Sequence, residues 1–253
     1  MKELAQNTPQ YPRRCGYQFM MTALCVLIVC TLCHAGSTAQ ERPQTLQQFI
    51  DLEMDLTQKS LHPKKMLIIV LDTERGEFSG LGGMLGRHRV SKQRIPHFAA
   101  TLHYDPSATL DDFSDEILLR AGVNRRSATP MQIVELYRAV GNGGRYRAST
   151  NATQLMSGPE SQHLRRILEQ HVMQGDGLLL ARVHGLHIAG CASHSRNTSE
   201  AKATSAFVGF YPARKPRNVC LVLVEAPKVL PKYNRGALVA APIFSRVAGF
   251  GHQ

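Results

Sequence analysis

Two serine patterns in the polar stretch near residue 200 are candidates for nucleophilic chemistry. Ser199 is followed three residues later by Lys202, and Ser195 is followed two residues later by Asn197. On a helix, a serine and a lysine at this spacing share one face, so the amine could accept the hydroxyl proton. However, the 15 serines and 9 lysines of the chain predict about half a match to the serine–lysine pattern by chance. We therefore assign no catalytic role to either pattern.

A second group of reactive side chains comprises His184, His187, Cys191 and His194. Their spacing matches no zinc-binding pattern, so we predict no metal site, and we predict no cofactor. Cys191 and His194 could form a thiolate nucleophile, but residues i and i+3 of a strand point to opposite faces, which is poor geometry for activating the thiol. An enzyme that uses Cys191 as nucleophile stays open as an alternative hypothesis.

The composition is that of a basic globular protein. Lys and Arg number 30 against 19 Asp and Glu, the net charge is +11, and 43% of the residues are hydrophobic. These values exclude a collagen, a coiled coil, a polytopic membrane protein and a disordered tail. The sequence contains no Trp and no nucleic-acid motif, so we predict an anionic envelope rather than nucleic acid as the basic chain's counterpart. The pairs Lys64-Lys65 and Arg125-Arg126 are interpreted as solvated positions at the ends of elements.

The N-terminal part predicts export from the cytoplasm. Two arginines precede an uncharged apolar run at 19–33, which is typical of a signal peptide or signal anchor. The run is short for a membrane anchor, whereas the long polar leader before it argues against a cleaved signal, so both remain open. We thus divide the chain into a targeting segment at 1–39 and an exported domain at 40–253, which is periplasmic or anchored in the inner membrane facing the periplasm.

The exported part shows signals for both strands and helices. Capping patterns predict helices that begin at Thr129 and Ser157, and a short helix or a strand–helix junction that begins at Thr45, because each of these residues is followed three positions later by Gln or Glu. Apolar runs predict strands at 66–71, 186–189, 206–211 and 219–225, and a last helix within 237–250. The stretch 80–94 is rich in Gly and basic residues without a period, which predicts a loop. This order of elements indicates an α+β fold with a mainly antiparallel sheet covered by helices.

Several short motifs, in order, resemble the transpeptidase domain of class B penicillin-binding proteins, which cross-link peptidoglycan. Leu71 to Glu77 (LDTERGE) resembles the family's Leu-Asp-Pro-x-Thr-Gly-Glu hairpin. Ala128 to Gln132 (ATPMQ) with Asn142-Gly143-Gly144 resembles its Val-Thr-Pro-Leu-Gln helix and the Gly-Gly end of that helix. Further matches are Phe207 to Pro212 (FVGFYP) and Ala240 to Phe244 (AAPIF). The resemblance implies a sheet of the kind shared by these proteins and β-lactamases, with the family's helical subdomain largely missing.

The resemblance also indicates where the reactive residues of the family would lie. The family's Ser-x-x-Lys motif supplies the nucleophile and its base, and the matching segment here is Ala108-Thr109-Leu110-Asp111. Ala108 therefore occupies the nucleophile position and Asp111 the lysine position. Ser107 cannot stand in, because its partner three residues later is Leu110.

The other two motifs of the family also differ here. The segment that matches Lys-Thr-Gly reads Cys191-Ala192-Ser193-His194, and the long insertion that carries Ser-x-Asn is replaced by the short stretch 114–127. In the family's sheet, a strand separates the two that carry Cys191 and Cys220, about 9 to 10 Å apart, so the resemblance implies free thiols.

These comparisons predict a penicillin-binding-protein-like homologue without covalent catalysis. Its partners would be peptidoglycan or proteins of cell-wall synthesis and division, with membrane contact through 1–39 if that segment is retained. A basic adaptor for the envelope is a further alternative.

Overall fold

The computed structural model describes residues 42–148, 151–175, 178–194, 203–229 and 234–252. The predicted leader and the serine patterns at 195–202 lie outside these residues. Among the residues described, no helix is both long and apolar enough to cross a membrane.

A six-stranded antiparallel sheet forms the centre of the molecule, and its strand order is β3-β2-β1-β8-β7-β6. A separate hairpin pairs β4 with β5. The strands are β1 (Lys65–Asp72), β2 (Phe78–Leu85), β3 (His88–Arg89), β4 (Arg145–Ala148), β5 (Asn151–Gln154), β6 (Ala189–His194), β7 (Thr204–Tyr211) and β8 (Asn218–Glu225). The predicted α+β class with a mainly antiparallel sheet is confirmed.

Seven α-helices lie within the described residues, and three of them begin at the predicted caps. The helices are α1 (Leu46–Leu61), α2 (Ile95–Ala100), α3 (Ser107–Leu110), α4 (Asp115–Arg120), α5 (Pro130–Gly141), α6 (Gly158–Gln174) and α7 (Gly236–Gly251), and 3-10 turns lie at Lys92–Arg94 and Leu179–Ala181. Thr45, Thr129 and Ser157 each form a reciprocal capping box, which satisfies backbone donors that the helix itself leaves unpaired. Pro242 lies inside α7 rather than at its start.

Each face of the sheet is covered by helices and forms its own core. One face buries the set Leu67, Ile69, Val208, Phe210, Leu221 and Leu223 against α2 to α6. The other face buries the set Ile68, Val70, Phe207, Cys220, Val222 and Val224, mainly against α1 and α7. Full burial of one large apolar side chain contributes about 1.5 to 3 kcal/mol, so β1, β7 and β8, buried on both faces, make the largest contribution.

The predicted loop at 80–94 is wrong for its first part, which belongs to β2. A Cβ atom at Gly80 would lie 2.3 Å from Cδ1 of Ile50, and one at Gly82 would lie 2.3 Å from Sδ of Met54. The glycines therefore make room for α1 on this face of the sheet. Because glycine fills the positions that would otherwise be large and apolar, the strand shows no alternation in the sequence.

The end of α5 also depends on glycine. Gly144 has a φ angle of +90°, and a Cβ atom there would lie 2.0 Å from the backbone oxygen of Met156. Its N–H donates to the carbonyl of Ala139 at 2.7 Å, which satisfies a carbonyl in the last turn of α5. The chain can thus turn sharply from α5 into β4.

The connection from α3 to α5 is short. Residues 111–129 are all described, and they contain α4 and turns.

Strand β7 separates the strands that carry Cys191 and Cys220, and both cysteines are free thiols.

Candidate functional site

The edge strand β6 and the short helix α3 frame the candidate site. Cys191 pairs with Val208 of β7, and the strand has no partner on its other side within the described residues. Side chains alternate along the strand. Cys191 packs with the core beneath α5, whereas Ala192 packs with the core beneath α7. Strand β6 was predicted at 186–189 but lies at Ala189–His194, because its pairing with β7, rather than its own apolar pattern, sets its position.

Ala108 and Cys191 are in direct contact although they are far apart in the sequence. The Cys191 thiol donates a hydrogen bond to the backbone oxygen of Ala108 at 3.3 Å. This bond requires the protonated thiol. It joins α3 to the sheet edge, where the segment 108–111 meets the segment 191–194.

Two tyrosines, of which Tyr137 is buried and Tyr104 is half-buried, hold α3 in place. Hydrogen bonds join the Tyr104 hydroxyl to Oγ1 of Thr109 at 2.8 Å, and the Tyr137 hydroxyl donates to the Thr109 backbone oxygen at 2.9 Å. Burial raises the pKa of Tyr104 well above its usual value, although hydrogen bonds with Thr109 and Ser193 act in the opposite direction. Burial likewise raises the pKa of Tyr137. Both tyrosines are therefore neutral at physiological pH.

The thiol at the centre of the site is not activated. Burial, together with the charges of Asp112 and Asp111, raises the pKa of Cys191 to about 12, and a backbone hydrogen bond with Ala192 offsets part of this increase. A catalytic cysteine needs the opposite environment, with a nearby cation or a helix N-terminus that stabilises the thiolate. Cys191 is thus a neutral hydrogen-bond donor.

Carboxylates surround α3. The Asp105 carboxylate accepts hydrogen bonds from the Ser107 hydroxyl at 2.6 Å and from the Ser107 N–H at 3.1 Å. Asp112 lies 3.6 Å from Nδ1 of His171, and Asp111 is exposed. Among the described residues, no Lys or Arg forms an ion pair with Asp111 or Asp112. The local charge is negative.

Arg125 has a structural role that the sequence did not reveal. Its guanidinium donates to the backbone oxygens of Leu110, at 2.6 Å, and Phe113, and it pairs with Asp115 at 3.1 Å. It therefore holds the turn after α3, so its interpretation as a solvated residue is wrong. Lys65 likewise donates to the Thr101 oxygen at 2.7 Å. No periodic signal could have shown these contacts, since any residue type carries the backbone oxygens that Arg125 and Lys65 contact.

The remaining predicted residues lie as follows. Ser193 is buried near Tyr104, and the His194 backbone pairs with Ser205 while its side chain lies outside the part described. His187 contacts Glu169 at 2.7 Å. Within the described ranges, no three His, Cys, Asp or Glu side chains converge into a group that could hold a metal.

As it stands, the site offers a methyl group, a neutral thiol, neutral hydroxyls and carboxylates. The candidate nucleophiles are Ser107, whose hydroxyl is bonded to Asp105, and the protonated Cys191. A serine nucleophile requires a base that takes its proton, and positions a turn away supply Leu110 or Asp111. The arrangement can bind a polar group by hydrogen bonds at the sheet edge, but it lacks the lysine that would accept a proton.

Comparison with known proteins identifies a family and a relative that this chain resembles in sequence. A family model described as the penicillin binding protein transpeptidase domain matches residues 105–249, which is more than half of the chain. The probable peptidoglycan D,D-transpeptidase PbpC of Pseudomonas aeruginosa is 32% identical over 99 residues, which is 37% of this chain and 17% of that protein. The match thus spans less than a fifth of the relative's length.

Solved structures share the fold. The transpeptidase domain of the FtsI4 D,D-transpeptidase from Legionella pneumophila superposes with a TM-score of 0.64 at 19% identity, over 85% of this chain and 98% of that one. A structure described as a peptidoglycan glycosyltransferase from Burkholderia ambifaria gives a TM-score of 0.59 at 16% identity, over 81% and 94% of the two chains. At these identities the likeness concerns the fold, and activity must be argued from the site.

Proposed function

Because this chain belongs to the penicillin-binding protein transpeptidase family, we propose that it is a non-catalytic member with a binding or scaffolding role in peptidoglycan synthesis. The observation that carries the proposal is the contact between Cys191 and Ala108. It brings together the two segments that resemble the family's nucleophile and Lys-Thr-Gly motifs, and neither carries the family's reactive residues.

The assignment of residues to family roles rests on order and contact. We assign Ala108 to the nucleophile position and Asp111 to the lysine position, and this is supported by a matched region that begins at Asp105 and so contains both residues. Cys191, Ala192 and Ser193 stand where the family has Lys, Thr and Gly, and they lie on the sheet edge beside α3. The family's chemistry requires the nucleophile segment and the Lys-Thr-Gly segment to lie side by side, as the segments at Ala108 and Cys191 do here.

The missing groups account for the proposed loss of activity. Alanine cannot form an acyl-enzyme, and loss of the nucleophile in a serine hydrolase costs about 10⁶ in turnover, which corresponds to roughly 8 kcal/mol of activation free energy. The lysine is replaced by an acidic residue, and the charges of Asp111 and Asp112 oppose formation of any anion at this site. The substrate carboxylate that a lysine would attract is therefore repelled.

The alternative of an enzyme that uses Cys191 receives less support. Its pKa of about 12 leaves little thiolate near neutral pH, and the thiol already donates to a carbonyl. A basic adaptor for the envelope differs from our proposal only in its partner.

Location and partners follow from the leader and the charge. We place the protein outside the cytoplasm because of the apolar run at 19–33, with 1–39 either cleaved or retained as an anchor. Its net charge of +11 suits an anionic partner in the cell envelope. Peptidoglycan and proteins of wall synthesis or division are the partners we propose.

Fluorescent penicillin tests the loss of catalysis. We expect the full chain to show no label that survives denaturing electrophoresis, under conditions in which an active class B penicillin-binding protein is labelled, because Ala108 has no oxygen to acylate. Ser107→Ala is the matched control and should behave identically. A band in the wild type that disappears in Ser107→Ala would show that Ser107 serves as the nucleophile and would refute the proposal.

A binding role predicts retention on purified peptidoglycan sacculi. The full chain should sediment with sacculi, and free penicillin should leave this binding unchanged, because no acylation competes with it. Absence of the chain from the sacculus pellet would leave scaffolding by protein partners as the surviving form of the proposal.

A further inference from the structure

A basic groove lies on the outer surface of α6. It has a volume of about 400 Å³ and is formed by one face of α6 and the loop that follows β7. We call it the arginine groove, and it is lined by Gln162, Arg165, Arg166, Glu169, Ala213 and Arg214. None of these residues belongs to the site formed by α3 and β6.

The helical spacing explains why one face of α6 is polar. Residues 162, 165, 166 and 169 are related by i, i+3, i+4 and i+7, so they share one face. Leu164 and Leu168, on another face, are buried in the core. The sequence therefore anchors the helix on one side, whereas on the other side Arg166 is exposed and Arg165 is half-buried.

The loop side of the groove is fixed by hydrogen bonds. The Ala213 N–H donates to the His187 oxygen at 2.8 Å, and Nη1 of Arg165 donates to the Arg214 oxygen at 3.3 Å. The first of these bonds fixes the loop to the segment before β6, and the second joins the loop directly to α6.

The charge of the groove is unbalanced. Three arginines face a single carboxylate, that of Glu169, and this carboxylate already contacts Nδ1 of His187 at 2.7 Å. Nε of Arg165 is buried and has no hydrogen-bond partner among the described residues. Because this atom is buried, a ligand in the groove would be held by the exposed guanidinium groups of Arg166 and Arg214 rather than by Nε of Arg165.

We propose that the arginine groove binds a phosphate group. Guanidinium groups donate in a planar fork that matches the oxygens of phosphate, and such charge-assisted bonds are stronger than neutral ones. Three arginines and the amide of Gln162 offer more donors than one carboxylate could accept. The volume suits a single headgroup or a small phosphate. This inference does not depend on whether the α3–β6 site is catalytic.

Calorimetric titration of the full chain in detergent with inorganic phosphate tests the groove. The wild type should bind saturably. The double variant Arg166→Gln/Arg214→Gln should bind at least tenfold more weakly, because two of the three arginines are lost. Both side chains are exposed, and the backbone oxygen of Arg214 that Arg165 contacts is retained, so the fold is preserved.

A matched variant separates site binding from general charge. Arg87→Gln/Arg126→Gln removes the same charge from exposed positions outside the groove and should change the affinity less than twofold. Equal weakening in both double variants would overturn the proposal, as would the absence of saturable binding.

The source of the phosphate is distinguished with soluble short-chain lipids. An anionic lipid headgroup is the source if dihexanoyl phosphatidylglycerol binds more tightly than inorganic phosphate and dihexanoyl phosphatidylcholine binds more weakly than inorganic phosphate. A small phosphate is the source if dihexanoyl phosphatidylglycerol binds no more tightly than inorganic phosphate. Binding of either lipid that survives Arg166→Gln/Arg214→Gln would come from outside the groove and would count against it.

Discussion

Cys191 in the folded chain should be alkylated by iodoacetamide at least about thirtyfold more slowly near pH 7 than the same residue in the urea-unfolded chain. Burial, together with the charges of Asp112 and Asp111, raises its pKa from the ordinary value of 9.0 to about 12. The thiolate population therefore falls about 10³-fold, and the greater nucleophilicity of a more basic thiolate recovers part of this loss.

The pH dependence gives this prediction its sign. A raised pKa favours the neutral thiol at every pH below about 12, so alkylation should still accelerate about tenfold per pH unit between about pH 7 and pH 9.5. The unfolded chain should instead level off near its ordinary pKa. Peptide-resolved mass spectrometry separates Cys191 from the other cysteines. A plateau near pH 8 in the folded chain would mean an activated thiol and would revive the cysteine-enzyme alternative.

Replacement of Glu135 by Ala should lower the free energy of unfolding by about 3 kcal/mol. The Arg138 side chain is 2% exposed, and both Nε and Nη2 lie 2.8 Å from the Glu135 carboxylate. Nη1 is buried and has no partner among the residues described. Removal of the carboxylate leaves a buried charge without compensation, which typically costs 3 to 5 kcal/mol; water can reach the partly exposed Glu135 position and reduces this cost.

A second substitution provides the control for Glu135. Arg138→Met removes the charge as well, and an apolar side chain of similar length fills the space, so Glu135→Ala/Arg138→Met should be more stable than Glu135→Ala alone. Urea denaturation followed by circular dichroism measures all three variants. If the single substitution costs less than about 0.5 kcal/mol, as ordinary surface changes do, the pair does not stabilise α5.

Local signals in the sequence were sufficient for the four longest helices and the central strands, but not for the short helices α2, α3 and α4. Capping boxes at Thr45, Thr129 and Ser157 locate three helix starts because they use contacts within four residues. Strands β1 and β8 are buried on both faces, so they appear as continuous apolar runs. In such elements local sequence and tertiary packing favour the same structure.

Other features depend on partners that lie far away in the sequence. The hairpin of β4 and β5 was not predicted, and most of β2 lies in the predicted loop at 80–94, because glycines rather than large apolar residues face α1. The position of β6 is set by its register with β7. At the site, the resemblance to the family indicated Ala108 and Cys191. No sequence pattern indicates the hydrogen bond from Tyr137 to the backbone oxygen of Thr109 or the one from Arg125 to the backbone oxygen of Leu110.

The central claim is our proposal that penicillin acylates no side chain of α3, and the intact mass of the chain after prolonged incubation with benzylpenicillin tests it most directly. A single acylation, even a slow one, would leave an acyl group on the protein as long as hydrolysis of the acylated protein is slower still, so the measurement detects residual chemistry that an activity assay would miss. We predict an unchanged mass for the full chain and for Ser107→Ala. A gain equal to one penicillin molecule, mapped to residues 104–111 or to Cys191, would contradict the account.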